Sequence, residues 1–407
     1  MSCQKESGYR TMPDRFHLKR RDFLKWGAAS AGLVLGTPTL WAQDAQKNQP
    51  PPRPKTNIED ALKIPRTPYS LPGPFPGRVV EVHHPNAMSE DQIDANAVKQ
   101  MVKTGVENLT GRDLRKSFKL FFEKDDIVGI KVNPVGPGLI STRLEVVDAI
   151  IDWLIGNGIK PENIIIWDRF DYMLIDAGFT KEKYPGIGIE GLQTMDEEAA
   201  EGKTQDDSRW LNPDGTHVSA NNFDLNVYYW ADVEGPKDDK AYLNQHVFNG
   251  QYSYFGKLVT QKLTKIINVP VFKNTGNGIS MATKNLGYGA ICNTNRLHRP
   301  LFFDVCTEVL AFPVVRDKLV LNITDGLRAQ YDGGPMPNAK FTYLYNRLFF
   351  ATDPFALDMV CHQLLVEKRK AMNVPVNEHP RFTEYLRYAE RLGLGIADAK
   401  KIQHIRI

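Results

Sequence analysis

Residues 126–168 read DIVGIKVNPVGPGLISTRLEVVDAIIDWLIGNGIKPENIIIWD, and the period of their apolar residues decides the fold class. DIVGIKVN (126–133) and NIIIWD (163–168) are short runs rich in β-branched residues, the pattern of strands covered on both faces. Between them TRLEVVDAIIDWLIGNG (142–158) has helix length, with Leu144, Val147, Ile151 and Leu154 three and four residues apart. Thr142 followed by Glu145 has the spacing of a capping box, and Gly156 and Gly158 supply the stop. Strand, helix and strand at this spacing imply a parallel crossover.

The alternation extends in both directions. RVVEVH (78–83) and the helical SEDQIDANAVKQMVKTGVENL (89–109) precede it. KLTKIINVPVFK (262–273), the helix-like GISMATKNLG (278–287) and PLFFDVCTEVLAF (300–312), then KLVLNITD (318–325) and RLFFATD (347–353) follow. The long helix PFALDMVCHQLLVEKRKAM (354–372), the segment RFTEYLRYAERLG (381–393) and a terminal strand IQHIRI (402–407) close the chain. The expected fold is therefore α/β, a mostly parallel sheet with helices on both faces. Residues 186–250 break the rhythm with an Asp/Asn-rich stretch and the turn NPDG, and read as an inserted polar lobe or lid.

The bulk numbers fit one large domain: 407 residues, 42% hydrophobic and 24% charged, with a formal charge of +3. Residues 1–42 carry Lys5, Arg10, Arg15, Lys19, Arg20, Arg21 and Lys25 against Glu6, Asp14 and Asp22. Without them, 44 basic side chains face 45 acidic ones, a balance of −1. Nothing in that balance points to nucleic acid or to an anionic membrane surface as partner. Beyond Cys3 the cysteines are Cys292, Cys306 and Cys361, with no CxxC spacing, so no iron-sulfur motif is present and the thiols read as small core residues.

KRRDFLKWGAASAGLVLGTPTLWAQ (19–43) has paired arginines followed by an apolar run diluted with Gly and Ala, the build of a twin-arginine export signal. Residues 1–42 are the expected signal, cleaved after Ala42, which leaves no membrane span and places the mature chain in the periplasm. The export machinery is then a partner. Residues 43–77 are proline-rich and poor in apolar periodicity, the composition of a tether, so the folded domain is expected over 78–407.

Five apolar runs end in a polar residue where the chain turns away: Asn133, Asp168, Lys273, Asp325 and Asp353. In a parallel sheet the carboxyl ends of the strands share one edge, and ligands bind outside it. Three carboxylates with an amine and an amide suit a hard cation bridging to an anionic ligand. The stretch NTGNGISMATKNLGYGAICNTNRLH (274–298) follows one of these strands and enters a helix. N–H groups near Gly278–Met281 could face an anion, with Lys273 and Lys284 adding charge. It is neither a Walker A loop nor GxGxxG. In TDPFALDMVCH, Asp353 before Pro354 has the pattern of an N-cap, and Asp358 and His362 share a helix face. DGLRAQYDGGP places Asp325, Arg328 and Asp332 around a Gly-Gly-Pro turn, as in a ligand-contacting loop. His298 is a candidate metal ligand or proton carrier.

GIKVN, IIIWDR, NVPVFKN, TKNLGYG with NRLH, ITDGLRAQYDGGP and TDPFALD, in this order from Val79 to Ile407, resemble the family catalogued as domain of unknown function 362. The resemblance implies an α/β fold. Many members are exported, and some carry a ferredoxin-like module whose cysteines are missing here. By motif match it singles out Lys131, Asn133, Lys273, Lys284, Asn285, His298, Asp325, Gly333, Gly334, Asp353 and Asp358.

Together these readings give a periplasmic protein that binds a divalent metal and an anionic small molecule at the carboxyl-end rim. Asp325, Asp353 and Asp358 are the candidate metal ligands, and His298 and Lys273 the candidate catalytic groups. Lys131, Asn133, Lys284, Asn285, Gly333 and Gly334 are the candidate ligand-binding residues. A non-catalytic binding or assembly factor using the same cleft, with aromatic residues such as Tyr228, Tyr229, Trp230, Tyr252 and Tyr254 for recognition, and a redox accessory protein are the alternatives.

Overall fold

A computed structural model describes residues 53–195, 209, 212–213, 217–235 and 250–407, all within one compact unit, Arg53–Ile407. The expected export signal, the first part of the proline-rich segment and most of the polar stretch between 196 and 249 lie outside the described residues.

The strands are β1 Arg78–His83, β2 Met88–Ser89, β3 Gln92–Ile93, β4 Val128–Lys131, β5 Ile164–Phe170, β6 Gly188–Gln193 and β7 Phe223–Trp230. They continue with β8 Tyr252–Gly256, β9 Lys265–Asn268, β10 Val271–Thr275, β11 Gly278–Ile279, β12 Leu319–Gln330, β13 Thr342–Ala351 and β14 Gln403–Arg406. A 10-stranded sheet has the order β14-β1-β13-β12-β9-β4-β5-β6, with β10 also on β12 and β11 on β10. From β6 through β5, β4 and β9 to β12 every pairing is parallel, so the α/β expectation holds.

Alternation along the strands feeds two cores. Ile164 and Ile166 of β5 enter one and Ile165 and Trp167 the other, and Ile266 and Ile267 of β9 divide in the same way. One face is covered by helices Ala95–Thr110 and Leu144–Gly156, which bury residues such as Val102, Val106, Ile150 and Leu154. The other is covered by helix Asp304–Ala311 with its neighbours, and helix Pro354–Ala371 packs over Phe272 and Phe349 in a third cluster.

The direction of β13 and the extent of β12 differ from expectation. β13 is antiparallel to both β12 and β1, because residues 331–341 turn the chain back beside β12 instead of crossing over. β12 is also longer than KLVLNITD: Gly326–Gln330 continues the strand, and Arg328 pairs with Asp91 while Asp332 pairs with Arg369. DGLRAQ is therefore sheet rather than loop.

The segment from Arg53 to Gly77 is packed down rather than free. Helix Ile58–Lys63 buries Ile58 and Ala61, Leu71 is buried, Asn57 N donates to Trp230 O at 3.1 Å and Arg316 Nη2 to Pro65 O at 2.9 Å. β6 extends the main sheet, so an inserted lobe can start only after Gln193. Of the aromatic residues read as a recognition cluster, Tyr229 is buried with its hydroxyl on Glu308 at 2.7 Å, whereas Tyr228, Tyr252 and Tyr254 pack on one another across β7 and β8. Cys292, Cys306 and Cys361 are buried free thiols, as their setting in apolar runs implies.

Candidate anion site at the carboxyl ends of the strands

Three of the five strand-end residues meet. Asn133 follows β4, Asp168 lies in β5 and Lys273 in β10, and these strands run the same way. Lys131 Nζ is paired with Asp168 and also donates to Val132 O at 2.8 Å and Asn285 Oδ1 at 3.2 Å, so its three donors are all engaged. Lys273 Nζ donates to Asn133 Oδ1 at 2.8 Å, and Asn133 Nδ2 donates to Asn285 Oδ1 at 3.3 Å.

Asn285 is held from behind by a line of buried amides: its Nδ2 donates to Asn268 Oδ1 at 2.8 Å, and Asn268 Nδ2 to Asn322 Oδ1 at 2.9 Å. That line fixes which end of Asn285 faces the lysines. Thr142 Oγ1 joins β4 to the break between β9 and β10, accepting from Asn133 N at 2.8 Å and donating to Val269 O at 2.8 Å.

Lys284 lies at the same place but makes no ion pair or hydrogen bond with any described residue. It sits over the rings of Phe302 at 5.1 Å and Tyr288 at 5.5 Å. Burial, then repulsion from Lys284 and Lys131 against the attraction of Asp168, pushes Lys273 down to about 7. Burial also lowers Lys131, with Asp168 pulling the other way, and lowers Lys284.

Arg169 reaches the group from the end of β5, with Nε on Gln193 Oε1 at 2.8 Å and Nη1 on Thr294 Oγ1 at 2.5 Å. His298 Nδ1 is 3.0 Å from Thr294 O. A carbonyl only accepts, so Nδ1 carries the proton and Nε2 of the neutral ring is an acceptor. Loss of water on the face toward Tyr288 and Phe302, then the charges of Lys284 and Arg169, lowers the imidazole pKa. The residue as a whole is exposed, so the depression is smaller than an enclosed ring would show.

The glycine-rich segment contributes in a different way from a phosphate cradle. The N–H groups of Ala282 and Thr283, which open helix Ala282–Gly287, are taken by Asp358 at 2.8 and 3.0 Å, so this helix end is already occupied by a carboxylate. What the segment supplies is Lys284, Asn285, His298 and Gly289. A Cβ on Gly289 would lie 2.5 Å from Lys131 Cε and 2.2 Å from Asn285 O, so only glycine leaves room for the Lys131 side chain. Gly334 fits equally closely, with its N–H on Asn274 Oδ1 at 3.0 Å and a Cβ position 2.2 Å from Asn274 O, and Gly333 has φ +70°. Both serve the turn that packs residues 331–338 against β10. They are not arranged as ligand contacts.

Asp325, Asp353 and Asp358, the candidate metal ligands, each hold parts of the fold together. Asp353 ends the antiparallel β13 and so lies at the opposite edge of the sheet from Lys273. Its carboxylate accepts from Phe355 N and Ala356 N at 3.0 Å, Gly77 N at 3.1 Å and Ile396 N at 2.8 Å. Asp325, in the middle of β12, accepts from Arg143 N at 2.8 Å and Leu327 N at 3.0 Å. It thereby caps helix Leu144–Gly156 in place of the expected Thr142. Asp358 also accepts from Thr283 Oγ1 at 2.6 Å. Both oxygens of each carboxylate are engaged by the protein's own N–H or O–H groups, and no group of three or more His, Cys, Asp or Glu poised to hold a metal occurs among the described residues.

Residues 231–363 match the model of the family described as Domain of unknown function (DUF362). The DUF362 span includes Lys273, Lys284, Asn285 and His298 and leaves Lys131, Asn133 and Asp168 outside, so the cluster is completed by strands that precede it. No curated protein matches the chain. A crystal structure of a protein from Thermotoga maritima is similar over 70% of this chain and 60% of that one, at 8% identity and a TM-score of 0.32, too distant to inform the site. The chain thus spans less than two thirds of that protein's length.

Among the described residues no helix is long and apolar enough to cross a membrane. Sequence reading named Lys131, Asn133, Lys273, Lys284, Asn285 and His298, which do come together. It passed over Asn268, Asn322, Thr142, Gly289 and the role of Arg169. A signal existed for two of these: asparagine ends the apolar run KIIN and interrupts LVLNI, where a buried amide needs a partner.

Proposed function

We propose that this chain is an exported protein that binds an anionic small molecule at the carboxyl-end rim of its sheet, between Lys273, Lys284 and the Lys131–Asn285–Asn133 network. One observation carries the reading. Lys131, Lys273 and Lys284 share one place, Asp168 is the carboxylate paired there, and it is paired with Lys131. Uncompensated buried ammonium groups cost several kcal/mol each, and a bound anion removes that cost. Protonated Lys273 has two donors beyond its bond to Asn133, and Lys284 has all three. Asn133 and Lys284 are half-buried and His298 is exposed, so the cluster reaches solvent there.

The export half of the proposal rests on Arg20, Arg21 and the apolar run after them, and replacing both arginines by lysine should leave the protein in the cytoplasm. Binding is tested by melting the purified protein with phosphate, lactate, oxalate and citrate. At least one should raise the Tm in wild type and lose that effect in Lys273→Met and Lys284→Met. An equal shift in all three proteins would remove the reading. A divalent cation is not part of it, because the three carboxylates that suggested one are engaged by backbone and hydroxyl donors.

A further inference from the structure

We propose that Lys273 is a covalent nucleophile, its amine condensing with the carbonyl of a small 2-oxo or aldehyde carboxylate whose negative end lies against Lys284. The proposal rests on the anion-binding reading above and narrows its substrate class. Four features of the geometry support it. Lys273 Nζ is held by a single hydrogen bond, to a neutral amide oxygen of Asn133, and no carboxylate is within ion-pair distance among the described residues. The residue is 1% exposed, in the middle of β10, so few rotamers are open to it. The neighbouring Lys131 is locked by Asp168, Val132 and Asn285 and is unavailable for the same chemistry. Lys284 has no hydrogen-bonding or ionic partner among the described residues and is placed to receive a carboxylate.

An amine next to another cation and shielded from water has a substantial unprotonated fraction near neutrality, which is what attack on a carbonyl requires. With its pKa down to about 7, Lys273 offers on the order of a thousandfold more free amine at pH 7 than an ordinary lysine. The groups facing it are Lys284, Lys131, Asp168 and Asn133, and the two lysines outweigh the already paired carboxylate.

The step balances without a further reactant. The nitrogen lone pair forms the C–N bond and the C=O π pair moves to oxygen, which is protonated. The resulting carbinolamine loses that oxygen as water while the C=N bond forms. From the ammonium form, R₂C=O and Lys–NH₃⁺ give R₂C=NH⁺–Lys and H₂O, with no change of oxidation state.

The test incubates the full chain separately with glyoxylate, pyruvate and 2-oxoglutarate, adds sodium borohydride, and locates the reduced adduct by peptide mass spectrometry. Lactate, which has no carbonyl, serves as the non-condensing anion in a parallel melting experiment. The expected result is an adduct on Lys273 at least about tenfold above that on any other lysine, increasing from pH 6 to pH 8. It should be absent in Lys273→Arg, which keeps the charge.

No adduct at Lys273 with any of the three probes, or the same yield in Lys273→Arg, overturns the proposal. If lactate still raises the Tm in that case, anion binding survives without the covalent step. If no anion raises the Tm, the anion-binding reading fails as well. Loss of fold in Lys273→Arg would be seen as a lost melting transition, and Lys273→Met then takes its place in the adduct comparison.

Discussion

Two sets of buried charges are treated in opposite ways. Asp353, Asp358 and Asp325 are withdrawn from water and compensated by N–H and hydroxyl donors of the chain. Lys273 is withdrawn from water and Lys284 partly so, with one hydrogen bond for the first and two aromatic rings for the second in return. The carboxylates are joints: each ties a helix start to a distant strand or loop. Lys273 makes one hydrogen bond, to Asn133, and Lys284 makes none with a described residue, and buried groups perturbed in this way cluster at functional sites.

The largest expected effect tests the first half of that contrast. Asp353→Ala removes the acceptor for the N–H groups of Gly77, Phe355, Ala356 and Ile396 at once and should destabilise the fold by about 3–5 kcal/mol. Chemical denaturation reads it. A loss no larger than that of a surface substitution would mean the carboxylate is not a joint. Gly289→Ala comes next. The new Cβ meets Lys131 and the carbonyl of Asn285, and overpacking of this kind costs about 1–3 kcal/mol. Because it displaces the amine that holds Asn285 in place, it should also abolish the anion-dependent rise in Tm. A stable variant with intact binding would show that the Lys131 network is not part of the site.

Lys273→Met tests the other half. Removing an uncompensated amine should leave stability unchanged or raise it, while anion binding is lost. The pH dependence gives the sign. The folded pKa of Lys273 is about 7 and the unfolded chain keeps an ordinary lysine, so between pH 7 and about 10.4 the folded state holds fewer protons and its stability rises with pH. The penalty is complete below pH 7, so the advantage of Lys273→Met should be greatest near pH 6 and shrink toward pH 10. A constant difference across that range would refute the perturbed amine.

The same contrast explains what could be read from sequence. Strand and helix periods, and the convergence of Asn133, Asp168 and Lys273, follow from the pattern of apolar runs, because strands joined by crossover helices share a direction. Asp353 was misplaced since RLFFATD reads the same whichever way the strand runs, and direction here is set by the turn over residues 331–341. Asp325 and Asp358 look the same in sequence whether a carboxylate meets a metal or a backbone N–H, because the partner is set by the fold. The partners, Arg143 and Ala282, are 182 and 76 residues away. Two asparagines in apolar runs signal buried amides at Asn268 and Asn322, but that they pair with each other follows only once β9 and β12 are neighbours.

The smallest effect concerns His298, which separates an exposed group at the mouth of the cluster from the buried ones behind it. The ring is hydrogen-bonded to the backbone only within its own short turn, at Thr294 and Asn295, so His298→Gln should change stability by no more than about 0.5 kcal/mol. Its effect belongs in the pH profile of anion binding. Lys284 and Arg169 keep the imidazole neutral below its ordinary range, so in wild type the added positive charge arrives only as the pH falls well under 6.5. Anion affinity should therefore rise at the acid end in wild type and stay flat there in His298→Gln, a difference of roughly two- to fivefold for one partly exposed charge. Superimposable profiles would place His298 outside the site and leave the lysines alone to define it.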